Sequence, residues 1–130
     1  MGYTVYNSQG EDLDFNLEGL KKNTHQAVTA FEILEHLLNP FSVLNEIRAP
    51  KLFLSVPLRL WFAPAYRHKT DPRDRHFHEF EAWQMRWLLE KTGWAIMDEI
   101  QFTNPTRKFG IRPLLRLFTP RYLLIYAQKS

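Results

Sequence analysis

The strongest constraint on the fold is an apolar run, residues 27–40 (AVTAFEILEHLLNP), that passes into polar residues and ends on a proline. Its beginning, Gln26 to Phe31, is apolar enough for a buried strand. The continuation, Glu32 to Arg48, has the apolar spacing of a helix, which Pro40 divides into two pieces because proline removes a backbone donor. The run therefore predicts a strand that leads straight into a helix.

Three polar residues mark the start of this helix. Glu32, Glu35 and His36 stand at positions i, i+3 and i+4, which share one helical face. Open α/β sheets bind their ligands at the carboxyl ends of their strands, where a helix that follows a strand begins. We therefore expect a polar ligand-binding face at this point of the fold.

The rest of the chain alternates between strands and helices. Lys51–Val56, Trp94–Phe102 and Tyr122–Gln128 are predicted strands, Phe80–Thr92 a helix, Leu58–Asp74 a loop and Thr103–Pro120 an irregular basic excursion. Such alternation predicts an α/β fold. A length of 130 residues fits a single domain, 1–130, with residues 1–25 as an irregular N-terminal segment and residues 26–130 as the sheet-forming part.

The composition excludes some kinds of site. The chain has no cysteine, which rules out disulfides, zinc–thiolate centres and thiol nucleophiles. A net charge of +3 permits an anionic partner without requiring one. The sequence contains no apolar run long enough to span a bilayer and no basic-then-apolar leader, and we therefore expect a cytoplasmic location.

From Ala27 to Lys129 the chain resembles the C-terminal half of the class I S-adenosylmethionine-dependent methyltransferases of the type 11/12 kind. In that family a strand is followed by Glu-x-x-Glu-His-Leu and then by Asn or Asp and Pro, as in residues 32–40 here. The resemblance implies a truncated Rossmann-like, mixed sheet of four to five strands. It also implies that the last strand inserts antiparallel between the Lys51–Pro57 and Trp94–Phe102 strands.

The resemblance implies S-adenosylmethionine as the cofactor, with Phe31 and Glu32 as cofactor-binding residues. The family holds that molecule on a glycine-rich loop in its N-terminal half. The five glycines of this chain, at positions 2, 10, 19, 93 and 110, are scattered, and none forms the G-x-G turn that lets backbone approach a nucleoside. We therefore expect a partial or degenerate member, whose chain alone binds S-adenosylmethionine weakly or not at all.

Two groups of relatives with Glu-x-x-Glu-His, the small-RNA 2′-O-methyltransferases and the ubiquinone-pathway O-methyltransferases, use a divalent cation. The resemblance implies a Mg²⁺ or Mn²⁺ site at Glu32, Glu35 and His36, completed by His78 or by the neighbouring His76. Carboxylate and imidazole ligands suit such ions. The alternative is that Glu35 and His36 only cap and solvate the helix start, where acidic groups favour the macrodipole.

The imidazoles also suit proton transfer. Histidine titrates near neutral pH, and His36, His76 and His78 are therefore candidate catalytic residues. His76 and His78 would lie on one side of an extended segment. The alternative is that both are solvated members of a basic loop.

Two further classes of function stay open. One is a non-catalytic binding or assembly module that retains part of the fold. The other is a basic module that associates with membranes or nucleic acid through residues 107–121, where five basic residues are interleaved with large apolar ones. Against it, Leu114, Leu115 and Phe118 are compatible with packing on the sheet, and the chain contains no recognisable nucleic-acid-binding module.

Because the N-terminal half of the family's fold has no counterpart in this sequence, we expect the chain to have a partner. Without its usual neighbour, the Ala27–Phe31 strand becomes an apolar edge, which folded proteins seldom leave open. A weak strand predicted at Tyr3–Tyr6 would pair with only part of this edge. A second copy of the chain in a homodimer, or a separate N-terminal half, would cover more of it. In the predicted helix, Trp83, Trp87 and Leu88 are expected to pack on the sheet.

Overall fold

The structure is a computed structural model that describes residues 2–22 and 24–130. Along the chain it contains β1 (Val28–Phe31), a 3₁₀ turn (Leu34–His36), α1 (Pro40–Glu46), β2 (Lys51–Pro57), α2 (Ala82–Lys91), β3 (Trp94–Phe102), α3 (Ile111–Phe118) and β4 (Tyr122–Lys129). This alternation confirms the predicted α/β class. The four strands lie where the sequence predicts them, with ends shifted by at most two residues.

The four strands form one mixed sheet in the order β1-β2-β4-β3. β1 is parallel to β2, and β4 is antiparallel to both β2 and β3. The last strand of the chain therefore inserts between the two strands that precede it. The predicted mixed sheet with an antiparallel last strand is confirmed.

The core forms around the two central strands. Leu52 and Leu54 of β2, and Leu123 and Ile125 of β4, are buried at alternate positions, because successive side chains of a strand point to opposite faces. Other elements add apolar side chains to the same cluster: Leu34, Val43, Leu44, Ile47, Met85, Leu89 and Trp94. One core therefore joins the sheet to α1, α2 and the 3₁₀ turn.

The segment between β1 and β2 differs from the helix predicted over Glu32–Arg48. Glu32 has a φ of 53°, in the left-handed region, and therefore turns the chain at the end of β1 instead of starting a helix. Pro40 does not interrupt a helix but begins α1, where its fixed φ is favourable. The side chain of Asn39 caps α1 by accepting a hydrogen bond from the amide of Ser42 at 3.2 Å. The Asn-Pro pair thus marks a helix start.

The N-terminal segment supports this turn. The carboxylate of Asp14 accepts hydrogen bonds from the backbone amides of Leu38 and Asn39, each at 3.0 Å. Apolar side chains of the same segment pack against the core: Leu13, Leu17 and Leu20. Residues 2–22 and 24–27 contain no strand, which means that the weak strand predicted at Tyr3–Tyr6 is not formed. Within the described residues β1 is an edge of the sheet.

The helix α2 buries a different face from the predicted one. Met85 and Leu89 are buried, and Leu88 packs partly against the core. Trp83 and Trp87 are 56% and 57% exposed, so the prediction that they pack on the sheet is wrong. Each tryptophan precedes a buried residue by two positions, which places it about 200° away around the helix. The sequence has two apolar stripes, and the aromatic one faces solvent.

The basic excursion over Thr103–Pro120 is not wholly irregular, since it contains α3. None of the residues of α3 is buried. Leu114 and Phe118 are exposed, which contradicts the alternative in which they pack on the sheet. No helix among the residues that the structure describes is long and apolar enough to cross a bilayer.

Candidate functional site

The predicted cofactor-binding residues lie at the carboxyl end of β1. The amide of Glu32 donates to the carbonyl of Ser55 at 3.0 Å, and the Glu32 carboxylate accepts a hydrogen bond from the Ser55 hydroxyl at 2.7 Å. Phe31, the last residue of β1, is 51% exposed. These contacts hold Glu32 against the end of β2, and both side chains are exposed there. Their role in cofactor binding stays a prediction.

Glu35 lies in the 3₁₀ turn that follows. Its side chain is buried, and neither carboxylate oxygen has a hydrogen-bond partner among the described residues. Burial, together with the nearby carboxylates of Glu32 and Glu79, raises the pKa of Glu35 from 4.5 to about 7. Desolvating a carboxyl group without a compensating partner costs free energy, and such groups are rare in folded proteins. Glu35 is therefore the first candidate for a functional role.

The loop before α2 closes over this turn through backbone hydrogen bonds. The carbonyl of Glu35 accepts from the amides of Phe77 at 2.8 Å and of His78 at 3.1 Å. A second contact has its acceptor in the loop: His36 Nδ1 lies 2.8 Å from the carbonyl oxygen of Arg75. Because a carbonyl only accepts, His36 Nδ1 carries the hydrogen, and Nε2 keeps its lone pair. That Nε2 lies 3.7 Å from Glu35 Oε1.

His76 reaches the same place from the loop. Its ring lies edge-on to the ring of His36, with the centroids 5.0 Å apart. His76 Nδ1 donates to Glu79 Oε1 at 2.8 Å, which leaves Nε2 as the free acceptor. Glu79 Oε1 also accepts from the amide of Tyr66 at 3.0 Å, and Arg121 Nη1 lies 3.8 Å from Glu79 Oε2. Glu79 thus holds the His76 ring in one orientation.

Glu35, His36 and His76 form the polar centre of the molecule. One potential ligand atom from each lies within 4.8 Å of those of the other two. A carboxylate and two imidazoles are suitable ligands for a divalent cation. The unpartnered oxygens of Glu35 and the oriented imidazoles fit such an ion. Imidazole and carboxyl groups are also the side chains that most often serve as general acids and bases.

Two residues of the predicted cation site lie outside this centre. His78 stacks on Phe80, with the ring centroids 5.4 Å apart, and its Nε2 lies 3.4 Å from the carbonyl oxygen of Leu38. Glu32 is engaged with Ser55, as described above. The structure therefore assembles two of the four predicted cation ligands, Glu35 and His36, together with His76. The roles of Glu32 and His78 stay predictions.

The sequence alone assigns no separate role in this site to Glu79 or Arg121. The only available signal for Glu79 was its position three residues after His76, and nothing in the sequence links Arg121 to this loop. Arg121 Nη1 also donates to the carbonyl of Leu58 at 2.7 Å, and this bond connects the polar centre to the end of β2. An open groove of about 440 Å³ begins there, and its lining includes Leu58, Trp61, Phe80 and Pro120.

Comparison with known proteins identifies the fold. No protein-family profile and no curated protein sequence matches this chain. A solved S-adenosylmethionine-dependent methyltransferase from Mesorhizobium loti superposes with a TM-score of 0.64 at 16% identity, over 92% of this chain and 68% of that chain. A second, from Listeria monocytogenes, gives 0.59 at 13% identity, over 85% and 64%. The fold is that of the class I methyltransferases.

The methyltransferase fold does not by itself determine the reaction. The cyclase SpnF superposes on this chain with a TM-score of 0.56 at 16% identity, over 83% of this chain and 50% of that chain. The present chain therefore spans between half and about two thirds of these solved proteins. Because one fold supports several chemistries, the function has to be argued from the polar centre.

Proposed function

We propose that this chain supplies the acceptor-side part of an S-adenosylmethionine-dependent methyltransferase. In this proposal Glu35, His36 and His76 bind a divalent cation, Mg²⁺ or Mn²⁺, at the acceptor site. The observation that supports it most is the buried Glu35 carboxyl group, whose two oxygens have no hydrogen-bond partner among the described residues. The methyltransferase fold supports the reaction class, since the polar centre follows the carboxyl end of a strand.

The chain's own residues prepare this centre for a cation. Glu35 brings a negative charge into a desolvated position, where a cation offsets the cost of ionisation. The Arg75 carbonyl and the Glu79 carboxylate each hold one imidazole Nδ1–H, and both Nε2 atoms remain available as ligands. A bound divalent cation would lower the pKa of an acceptor hydroxyl and orient it for methyl transfer.

Calorimetric titration with Mn²⁺ at about pH 8, where Glu35 is ionised, tests the proposal. We expect about one ion per chain for the wild type. Glu35→Gln should abolish binding, and Glu79→Gln, which loosens His76, should weaken it about 10- to 100-fold. Glu90→Gln on α2 is the matched control and should bind as the wild type does. Absence of binding at millimolar Mn²⁺, or equal binding by Glu35→Gln, would refute the cation site.

Glu32→Gln and His78→Ala test the remaining predicted ligands in the same titration. If they join the cation site, each should weaken binding as strongly as Glu79→Gln does. Binding that is unchanged in both would restrict the site to Glu35, His36 and His76.

The proposed cofactor is S-adenosylmethionine, bound largely by a part of the fold that this chain does not contain. The scattered glycines leave Phe31 and Glu32 as the chain's own contribution. The chain alone should therefore bind S-adenosylhomocysteine weakly or not at all in a calorimetric titration. A dissociation constant in the low micromolar range would contradict this and would indicate that residues 3–16 form part of the cofactor pocket.

The uncovered edge of β1 supports a second candidate, a non-catalytic assembly module. Phe31 is half exposed at this edge, and exposed strand edges tend to pair with another chain. We propose that a second copy of the chain, or a polypeptide that supplies the missing strands, covers this edge. We also propose that the protein acts in the cytoplasm. Sedimentation at tens of micromolar should report about twice the 15.6 kDa chain mass for a homodimer. A stable monomer would leave a separate partner as the cover.

A further inference from the structure

The apolar face of α3 points to solvent. Ile111, Leu114, Leu115 and Phe118 follow the spacing i, i+3, i+4 and i+7, which places them on one face of the helix. In most surface helices such a face packs against the core. Here Ile111 is 78% exposed, Leu114 56% and Phe118 80%, and only Leu115 is partly covered.

The opposite face of the same helix is cationic. Arg112 and Arg116 are four residues apart, one turn, and lie on the side away from Ile111. Arg107 and Lys108 precede the helix, whereas residues 103–120 contain no acidic residue. Among the described residues none of these four basic side chains forms an ion pair. Their charge is therefore free to meet an anionic surface.

An open apolar groove accompanies this helix. It has a volume of about 590 Å³ and is lined by Phe109, Pro113, Leu114 and Leu117, together with Arg107 and Lys108. Phe109 is fully exposed, and it precedes the helix at Gly110, whose φ of 141° only glycine readily adopts. Large apolar side chains thus lie beside cationic ones over residues 107–118, which we call the 107–118 segment.

We propose that the 107–118 segment binds the surface of an anionic lipid bilayer. The helix would lie in the plane of the interface, with Ile111, Leu114 and Phe118 inserted at the boundary of the acyl chains. The four basic side chains would contact lipid phosphates, which attract cations close to the membrane surface. An amphipathic helix that exposes its apolar face and carries only positive charge matches this environment in both of its properties.

The charge distribution distinguishes this partner from two others. A second copy docked through the same surface would bring eight cationic side chains together, and like charges at short range repel. A nucleic acid would use the arginines but would leave the aliphatic side chains of Ile111, Leu114 and Leu117 in water, since phosphates and sugars offer them no apolar cover. Of these three partners, the anionic bilayer satisfies both the apolar and the cationic groups.

Sedimentation of the full chain with vesicles tests the proposal. We expect the chain to bind phosphatidylcholine vesicles that contain about 30% phosphatidylserine, to bind pure phosphatidylcholine at least about tenfold more weakly, and to be released by salt. Leu114→Glu should lower the partition coefficient at least about tenfold, because it places a negative charge at the apolar boundary. Met97→Glu on β3 is the matched control, since Met97 is 55% exposed, and it should bind as the wild type does.

The basic side chains are tested by Arg112→Gln and Arg116→Gln, each of which should weaken binding to the anionic vesicles about fivefold. Thermal melts of all variants, carried out without vesicles, should match the wild type because the altered side chains are exposed or only partly covered. The proposal would be overturned if the wild-type protein did not bind anionic vesicles, or if it bound vesicles with and without phosphatidylserine equally. A short RNA that binds while the vesicles do not, or a dimer that Leu114→Glu dissociates, would likewise overturn it.

Discussion

The two long helices of this chain have similar apolar content and opposite relations to the core. The helix α2 buries Met85 and Leu89 completely and exposes its tryptophans. The helix α3 buries nothing, although its apolar spacing is the more regular of the two. The difference shows that periodicity identifies an apolar face but does not say what covers it. In α2 the cover is the sheet, whereas the residues that the structure describes bury none of the α3 side chains.

The same contrast applies to polar groups. Arg112 of α3 is exposed and Arg116 is only partly covered, so their charges cost little. The Glu35 carboxyl group is buried, and its oxygens have no hydrogen-bond partner among the described residues, so a charge there costs much. A group that is both buried and unpartnered indicates a ligand, and an apolar face that is both regular and exposed indicates a docking surface. The cation proposed for Glu35 and the bilayer proposed for α3 would each satisfy one of these two regions.

The largest effect that we predict is the loss of a buried α2 side chain. Leu89→Ala should lower the free energy of unfolding by about 2–5 kcal/mol, because it leaves a cavity between α2 and the sheet. Urea melts measure this change. A loss of less than about 1 kcal/mol would mean that α2 is not part of the core and would remove the contrast with α3.

The second largest effect is a pH dependence that comes from Glu35. Its pKa is raised from 4.5 to about 7, so the folded state holds the proton more tightly than the unfolded chain does. Stability from this group is fully present below pH 4.5 and is lost as the pH rises through 7, by about 2 kcal/mol once solvent screening is allowed for.

Glu35→Gln should remove this loss, and it should therefore be more stable than the wild type at about pH 8 but not at about pH 4. Urea melts at both pH values, with a chelator present to exclude cations, measure the difference. The exposed Glu90→Gln on α2 serves as the control and should follow the wild type. Parallel behaviour of wild type and Glu35→Gln would show that the Glu35 carboxyl group is solvated.

A smaller effect is expected at the exposed stripe of α2. Trp87→Ala should cost less than about 1 kcal/mol, because the side chain is more than half exposed and the Lys91 ammonium, 5.9 Å from the ring centroid, contributes only a weak exposed contact. Denaturant melts compare it with Leu89→Ala in the same helix. A cost of about 3–5 kcal/mol would mean that the tryptophan is buried after all, as the sequence alone predicted.

The smallest effect is predicted for α3 in the absence of a membrane. Leu114→Ala should change the free energy of unfolding by no more than about 0.5 kcal/mol, as exposed positions usually do. The comparison with Leu89→Ala uses the same substitution in the two helices. Equal losses in both would show that the apolar face of α3 already has a cover.

The sheet was predictable because its signals are local and redundant. Apolar runs such as Lys51–Val56 and Tyr122–Gln128 carry the strands, and the resemblance to the methyltransferases supplied their order. The segment after β1 was harder, since Asn39-Pro40 marks a helix start as readily as a helix break. The positive φ of Glu32 has no signal in its residue type, because glutamate seldom adopts it.

The candidate site was predictable in part. Glu35 and His36 are adjacent in sequence, and their motif drew attention to them. The choice between His76 and His78 depends on how the loop folds, and only the structure shows that His76 faces His36 while His78 stacks on Phe80. The burial of Glu35 is a property of the surrounding fold, and therefore no local pattern reveals it.

Hydrogen exchange measured by mass spectrometry tests directly whether α2 packs on the sheet while the apolar face of α3 is exposed to solvent. Peptides over β2, β4 and α2 should exchange slowly, whereas α3 should exchange rapidly in buffer and slow down when anionic vesicles are added. Vesicles should leave the exchange of the 3₁₀ turn Leu34–His36 unchanged. If α3 is as protected as α2 in buffer without vesicles, its apolar face is already covered, and the contrast drawn between the two helices is wrong.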